Sequence, residues 1–245
     1  MIKAITFDFW STLYINRPVK LSDRLQFLKD SIEQTNGAVL EMDRLKQAVN
    51  KARTAWNIAW IEGYRTMGAA EWVSIVLDEL DISLEEPDQA AIGHRLETRL
   101  LDAAPILVNE AKRVLPALAK RYRLAIISDT GLTPGWVLRQ VLEQDQVAAY
   151  FTRFTFSDEV GCSKPHPNAF LSTLEALDVE PHQAVHIGDL LRTDIAGAQG
   201  VGMRAVQYVG VSTDRAEPKI RPHAVIGDHR ELNSLLDQWR HRPGD

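Results

Sequence analysis

Short apolar runs alternate with amphipathic stretches from residue 105 to the end of the chain. The apolar runs predict buried strands, and they cover residues 123–129, 150–158, 183–189, 204–210 and 223–228. The stretches with helical spacing predict helices, and they cover residues 109–122, 133–145, 167–178, 191–202 and 231–240. Strands that alternate with helices indicate an α/β fold with a mostly parallel sheet covered on both faces.

The first 104 residues follow a different pattern. Residues 1–8 form one more apolar run, which predicts a buried strand ending at Asp8. Helical spacing begins at Leu21 and predicts four helices with no strand among them, over residues 21–37, 41–64, 68–82 and 87–102. This predicts a core domain built from residues 1–15 and 105–245, with residues 16–104 inserted as a helical domain.

Composition narrows the classes of function. The chain has 245 residues, a formal net charge of −5 and no run of Lys and Arg, which argues against a nucleic-acid partner. No apolar stretch approaches the roughly 18 residues that a membrane span needs. The single cysteine, Cys162, rules out an internal disulfide and fits a cytoplasmic location. The sequence leaves the oligomeric state open between monomer and homodimer.

Side chains with candidate chemistry follow several of the predicted strands. They are Asp8, Ser128, Asp129, Lys164, Asp189 and Asp194. Each taken alone is a common turn or cap residue. In open parallel sheets, however, ligands bind at the carboxyl ends of the strands, so we expect these side chains to gather around one site.

Phosphoryl transfer accounts for this set of residue types. A carboxylate such as Asp8 can attack phosphorus and form an aspartyl-phosphate. Because carboxylate and phosphate repel each other, Asp8 and Asp189 are predicted to hold Mg²⁺ between them. Ser128 and Lys164 are predicted to bind the phosphate oxygens.

The chain resembles the haloacid-dehalogenase-like hydrolase superfamily. Four motifs carry the resemblance in order: "ITFDFWSTL", "LAIISDTG", "GCSKPHPNAF" and "AVHIGDLLRTDIAGAQGVGM". The resemblance implies a Rossmann-like core with a helical cap of type 1, and a Mg²⁺-dependent phosphatase acting on a small phosphorylated metabolite. The residues it implies are Asp8 as nucleophile and metal ligand, Asp189, Asp194 and the Trp10 carbonyl at the metal, and Ser128, Asp129 and Lys164 at the phosphate.

Two residues depart from the pattern of the superfamily's phosphatases. Trp10 stands where they usually carry a general acid, and Ser11 stands where a glycine usually follows. Haloacid dehalogenases carry an aromatic residue near this position, so a 2-haloacid dehalogenase with Asp8 as nucleophile is the first alternative. The retained Asp189 favours the phosphatase. A second alternative is a degenerate member that binds a phosphorylated ligand or a partner protein without turnover.

The inserted helices are predicted to read the substrate. Arg65, in a loop flanked by glycines, is the candidate contact for a substrate anion. Trp56 and Trp60 lie four residues apart and are predicted to pack inside the helical domain. His166, close to Lys164, is a candidate proton donor in place of Trp10.

Overall fold

A computed structural model describes residues 1–17, 20–37, 39–214 and 219–241. The strands it describes are β1 (Ala4–Phe7), β2 (Tyr14–Ile15), β3 (Ile106–Leu107), β4 (Arg123–Ser128), β5 (Arg153–Phe156), β6 (Ala184–Gly188), β7 (Arg204–Tyr208) and β8 (Ala224–Ile226). Six of them form a parallel central sheet in the order β5-β4-β1-β6-β7-β8, and β2 and β3 form a separate antiparallel pair. The predicted α/β fold with a parallel sheet is confirmed.

Helices cover both faces of this sheet. Successive residues of a strand point to opposite faces, so Phe7 packs with one cluster of helices and Ala4 with the other. The first face carries α5 (Asn109–Ala119), α6 (Gly135–Gln144) and α10 (Glu231–His241), and the second carries α8 (Pro167–Ala176) and α9 (Ala196–Gly200), while the short α7 (Ser157–Val160) follows β5.

The register of the three central strands aligns their carboxyl ends. Phe7, the last residue of β1, lies opposite Ile126 of β4 and Ile187 of β6. Asp8 therefore follows at the same level as the residues that end β4 and β6. The sequence alternation thus places the candidate residues of three strand ends side by side.

Four helices lie between β2 and β3 and pack around their own cluster of buried side chains, which includes Leu45, Val73 and Leu77. They are α1 (Leu21–Asn36), α2 (Met42–Ile61), α3 (Ala69–Leu80) and α4 (Glu86–Thr98). We call residues 21–98 the helical block. α1 ends where the sequence predicts, because Gly37 adopts the left-handed backbone that ends many helices (φ 73°).

Three local details differ from the sequence prediction. β2 and β3 have only two residues each, which is too short for a periodic pattern. The predicted strand at residues 150–158 ends at Phe156, and a short helix begins at Ser157. The predicted helix at residues 191–202 begins with a π-helical turn, Leu191–Ile195. Across the described ranges, no helix combines the length and apolar character needed to cross a bilayer.

Candidate active site

A buried network of charges links Asp8 at the end of β1 to Lys164 and Asp194. The Lys164 Nζ donates to Asp8 Oδ1 and to Asp194 Oδ1, both at 2.6 Å, and to the Ile127 carbonyl at 3.1 Å. All three charged side chains are almost completely buried. In a buried site an ammonium held between two carboxylates is both attracted and satisfied, so it fixes the position of both acids.

Asp8 is held by the backbone on either side of it. Its own N–H donates to the Ile187 carbonyl at 2.8 Å. The turn that follows is closed by the Ser11 N–H, which donates to the Tyr14 carbonyl at 2.8 Å. Ser11 takes a φ of 56°, a left-handed value that glycine adopts more readily. The turn keeps its shape without the glycine expected there, and Trp10 lines the cavity beside Asp8.

Asp194 is positioned by the π-helical turn and by the strand beneath it. The Leu190 N–H donates to its Oδ2 at 2.9 Å, and its carboxyl packs directly on Gly188. A Cβ at Gly188 would lie 2.3 Å from the Asp194 Cγ, so only glycine fits there. π turns of this kind often occur at functional sites.

His186 supports Asp194 from inside the sheet. Its Nε2 lies 3.2 Å from Asp194 Oδ1, and its Nδ1 lies 2.8 Å from the Thr6 hydroxyl. A carboxylate only accepts, so Nε2 donates to Asp194 and Nδ1 accepts from Thr6. Burial lowers the pKa of His186, against the opposing effect of Asp194.

Three carboxylates lie close enough to share one cation. Oxygens of Asp8, Asp189 and Asp194 all lie within 4.8 Å of one another. Asp189 is oriented by the Ser212 hydroxyl, which donates to its Oδ2 at 2.8 Å. Mg²⁺ prefers oxygen ligands and keeps several waters, so carboxylate oxygens this close together fit that ion.

The electrostatics of the cluster also favour a cation. Burial raises the pKa of Asp8 to about 8, against the opposing effect of Lys164, and Asp194 adds to the rise. Burial, and then Asp194, raise the pKa of Asp189 to about 6. Burial would raise the pKa of Asp194 too, but Lys164 and His186 outweigh it and hold that pKa well below its usual range. Three acids around one ammonium carry surplus negative charge, which a divalent cation would neutralise.

Ser128 and Asp129 end the neighbouring strand. The Ser128 side chain is buried, and its hydroxyl donates to the Asp129 carbonyl at 3.3 Å. Asp129 accepts from the Lys164 N–H at its Oδ1 and from the Trp60 indole N–H at its Oδ2, both at 2.8 Å. Burial raises the pKa of Asp129. The Trp60 bond joins the helical block to the strand ends.

A cavity of about 670 Å³ opens between the strand ends and the helical block. Asp8, Asp129, Lys164 and Asp194 line one side of it. The other side is lined by apolar and basic side chains of the helical block, among them Leu25, Leu28, Val49, Arg24, Arg53, Trp56, Trp60 and Trp72. The cavity has room for an organic group much larger than a phosphate.

The structure does not bring every candidate to this cavity. Arg65 forms a two-pronged ion pair with Glu71, at 2.8 and 2.7 Å, and does not line the cavity. His166 caps α8, where its Nδ1 accepts from the Asn168 N–H. The prediction that Trp60 packs inside the helical block is wrong. Trp56 contacts the buried cluster of the helical block, but the Trp60 indole faces the strand ends and donates to Asp129.

Several residues that shape the site were not predicted from the sequence. Ser212 lies in a loop with no motif, and His186 and Thr6 read as ordinary strand residues. The spacing of Val49, Arg53, Trp56 and Trp60, by four, three and four residues, marks one helix face and was the available signal. An arginine and two tryptophans on one face of a helix are unusual for a closed core.

Known proteins match this chain in sequence and in structure. Residues 2–202 match the family model of the haloacid dehalogenase-like hydrolases. A glyceraldehyde 3-phosphate phosphatase of Pyrococcus abyssi is 38% identical over 102 residues, which cover 41% of this chain and 42% of that protein. The chain thus matches less than half the length of that relative.

Two other comparisons cover nearly the whole chain. The 5-amino-6-(5-phospho-D-ribitylamino)uracil phosphatase YigB of Escherichia coli is 27% identical and is matched over 96% of each chain. The crystal structure of a 2-haloacid dehalogenase from Pseudomonas syringae pv. Tomato DC3000 superposes with a TM-score of 0.73 at 24% identity, covering 98% of this chain and 100% of that one. At this identity, the structural match shows the fold alone.

Proposed function

The chain belongs to the haloacid dehalogenase-like hydrolases, and we propose that it is a Mg²⁺-dependent phosphatase that forms an aspartyl-phosphate at Asp8. The observation that carries the proposal is the cluster at the strand ends. It sets one candidate nucleophile beside Lys164 and within a set of three carboxylates suited to a cation. The phosphatase names of both curated relatives support the reaction class.

The proposed reaction has two steps. An Asp8 oxygen attacks phosphorus while the bond from phosphorus to the ester oxygen breaks, and the leaving group departs with that electron pair. Water then attacks the phosphorus of the aspartyl-phosphate, so that Asp8 leaves as a carboxylate and phosphate is released. The Lys164 ammonium and the Ser128 hydroxyl bind the phosphate oxygens, where negative charge grows in the transition state.

Asp8, Asp189 and Asp194 would hold Mg²⁺ together with the Trp10 carbonyl. Bound there, the ion would neutralise the repulsion between the carboxylates and the incoming phosphate. Asp194 also anchors Lys164, so one carboxylate orders both the cation site and the phosphate site. His186 and the Leu190 N–H keep that carboxylate in place.

Trp10 determines which esters this site would cleave well. The indole has no acidic proton to give a departing alkoxide, and neither Arg65 nor His166 lines the cavity to replace it. Leaving groups that are already weak bases, such as a phenolate or the carboxylate of an acyl phosphate, need no such proton. We therefore propose a preference for aryl or acyl phosphates over alkyl phosphates.

The helical block completes the proposal. Residues 16–104, the predicted inserted domain that contains the helical block, would act as a cap that excludes water from the cavity while its walls contact the organic group of a small phosphorylated substrate. The Trp60 to Asp129 bond supports such a role, because it joins the wall of the cap to the reacting end. We propose a cytoplasmic location on the basis of the single cysteine.

Dehalogenation is the second candidate, and Trp10 is the observation that favours it. A halide needs no proton when it leaves, so Asp8 alone could displace it from carbon. A metal-free dehalogenase has no need of a second carboxylate beside its nucleophile, whereas Asp189 lies there.

Two assays on the purified protein test the proposal. Release of p-nitrophenol from p-nitrophenyl phosphate is measured with Mg²⁺ and with EDTA, next to halide release from a 2-haloacid. We expect Mg²⁺-dependent p-nitrophenol release and no halide. Halide release that persists in EDTA would replace the phosphatase by the dehalogenase, and absence of both activities would favour a binding protein.

A further inference from the structure

The wall of the cavity that faces the carboxylates is rich in arginine. The lining contains five basic side chains and three acidic ones. The acidic ones, Asp8, Asp129 and Asp194, all receive hydrogen bonds from Lys164. The other four basic side chains, which face the space left for the organic group, are Arg17, Arg24, Arg53 and Arg99.

The guanidinium groups of two of these arginines have no partner among the described residues. In the part of the chain that the structure describes, neither Arg24 nor Arg53 makes a side-chain hydrogen bond or ion pair. Arg65, outside the cavity, is by contrast paired with Glu71. An arginine that lines a cavity without a protein partner is free to bind an anion that enters it.

A third arginine, Arg99, lines the cavity and contacts α1. Arg99 lies over the Phe27 ring at 4.2 Å, and its Nη2 donates to the Asp23 carbonyl at 3.5 Å. Its Nε is buried and has no hydrogen-bond partner among the described residues. Arg99 thus lies beside the first turns of α1, which carry Arg24, and its Nε–H has no acceptor among the described residues.

The face of α2 that lines the cavity determines how far Arg53 lies from Asp129 and the strand ends. Trp60 touches Asp129 at the strand ends, and Arg53 lies seven residues, or two turns, before it on the same face. At 1.5 Å per residue, Arg53 is about 10 Å from Trp60 along the helix axis. Trp56 and the leucines of α1 fill the distance between with apolar surface.

We propose that the substrate is a phosphate monoester whose apolar, ring-containing organic group carries a second anionic group, a carboxylate or a phosphate, bound by Arg53 and Arg24. This inference rests on the proposed phosphatase function. The apolar wall takes the organic group by burial, and the arginines take the distal anion. The space and the spacing favour a substrate that extends about two helical turns from the reacting phosphate.

Matched substrates test the second anion. The probes are two phosphate esters that carry a carboxylate, 4-carboxyphenyl phosphate and 4′-carboxybiphenyl-4-yl phosphate. Each is compared with its neutral carboxamide. We expect the biphenyl carboxylate to exceed its carboxamide about tenfold or more in kcat/KM, mostly through KM, and the phenyl pair to differ less. In Arg53→Gln the biphenyl ratio should fall toward one, while Arg95→Gln, on an exposed position of α4, should retain it.

Binding separates failure of this inference from failure of the proposed function. The same four probes are titrated calorimetrically into Asp8→Asn, which need not turn over. Preference for the biphenyl carboxylate there, lost in Asp8→Asn/Arg53→Gln, supports the inference even if the wild type proves inactive as a phosphatase. Equal binding and equal kcat/KM for carboxylate and carboxamide at both lengths would overturn it, as would a preference unchanged in Arg53→Gln and Arg24→Gln.

Discussion

Charged side chains at the strand ends differ from those on the facing wall of the helical block. Asp8, Lys164 and Asp194 are buried and bonded to one another. Arg24 and Arg53 are exposed to the cavity, with no ion-pair partner in the described chain. The first group is fixed before any ligand arrives, whereas the second becomes fixed only by what it binds.

This difference in burial and bonding corresponds to two roles within one site, catalysis at the strand ends and substrate recognition on the cavity wall. A group that must attack or stabilise charge has to be held in place in advance, because reorganisation during the reaction would cost rate. A group that reads the variable part of a substrate needs only to be within reach. The comparison therefore predicts that changes at the strand ends affect chemistry and folding, and that changes on the wall affect selectivity.

Trp10 offers the largest test, because it is the one position at the strand ends that lacks the expected chemistry. We expect kcat/KM of the wild type to fall steeply as the leaving-group pKa rises from aryl to alkyl phosphates. A positioned general acid contributes about 10²- to 10⁴-fold, so Trp10→Asp should speed alkyl phosphate hydrolysis within that range and flatten the dependence. A flat dependence in the wild type would show that another group already supplies the proton.

Lys164 tests whether the buried network stabilises the fold. Lys164→Met leaves Asp8 and Asp194 buried without their shared partner, which should cost about 3–5 kcal/mol of unfolding free energy. Arg53→Met, on the cavity wall, should change it by no more than about 0.5 kcal/mol. Urea unfolding of both variants in EDTA measures the difference, and equal losses would remove the distinction between the two regions.

His229 tests whether a buried group, and not the arginines of the cavity wall, controls how the free energy of unfolding changes at acid pH. Burial lowers its pKa from 6.5 to about 4, against the opposing charge of Asp228, and neither ring nitrogen has a hydrogen-bond partner in the described chain. The unfolded state binds the proton more tightly, so this stability is full above pH 6.5 and is lost as pH falls toward 4.

Protonation linked to His229 should lower the free energy of unfolding by about 3 kcal/mol between pH 6.5 and about pH 4. The unfolding free energy of the wild type and of His229→Leu is compared at several pH values within that range. The variant should lose much less stability on acidification. Parallel curves would show that His229 has the same pKa in the folded and unfolded states.

Trp60 tests the contact between the two regions, with the smallest expected effect. Trp60→Phe removes the indole donor to Asp129, which should cost about 1–2 kcal/mol of stability. Trp56→Phe is the matched control, since its ring packs against Trp60 at 5.4 Å and gives up similar area. Equal losses in the two variants would mean that ring packing, and not the hydrogen bond, joins the helical block to Asp129.

The fold was largely predictable because its strands and helices have clear periods. The strand ends were predictable for the same reason: once β1, β4 and β6 are parallel neighbours, Asp8, Ser128 and Asp189 must lie together. The π turn that aims Asp194, and the glycine at 188 on which its carboxyl packs, depend on side-chain packing that no periodicity records.

The wall of the cavity was less predictable. Arg65 has the sequence context of a ligand-binding residue, yet Glu71, six positions on, lies within reach of its guanidinium and binds it. Trp60 has the spacing of a core residue, yet its side chain reaches across to Asp129. Which face of α2 turns toward the sheet depends on how the helical block sits on the core, and local sequence does not determine this.

The most direct test of the account is the chemical state of Asp8 during turnover. The wild type is quenched in acid while it hydrolyses p-nitrophenyl phosphate with Mg²⁺, and its peptides are mapped by mass spectrometry. We expect one phosphoryl group on Asp8, accumulated because Trp10 cannot activate the water that removes it, and no such group on Asp8→Asn. Continued release of p-nitrophenol with Asp8 unmodified, or with the phosphoryl group on another residue, would contradict it.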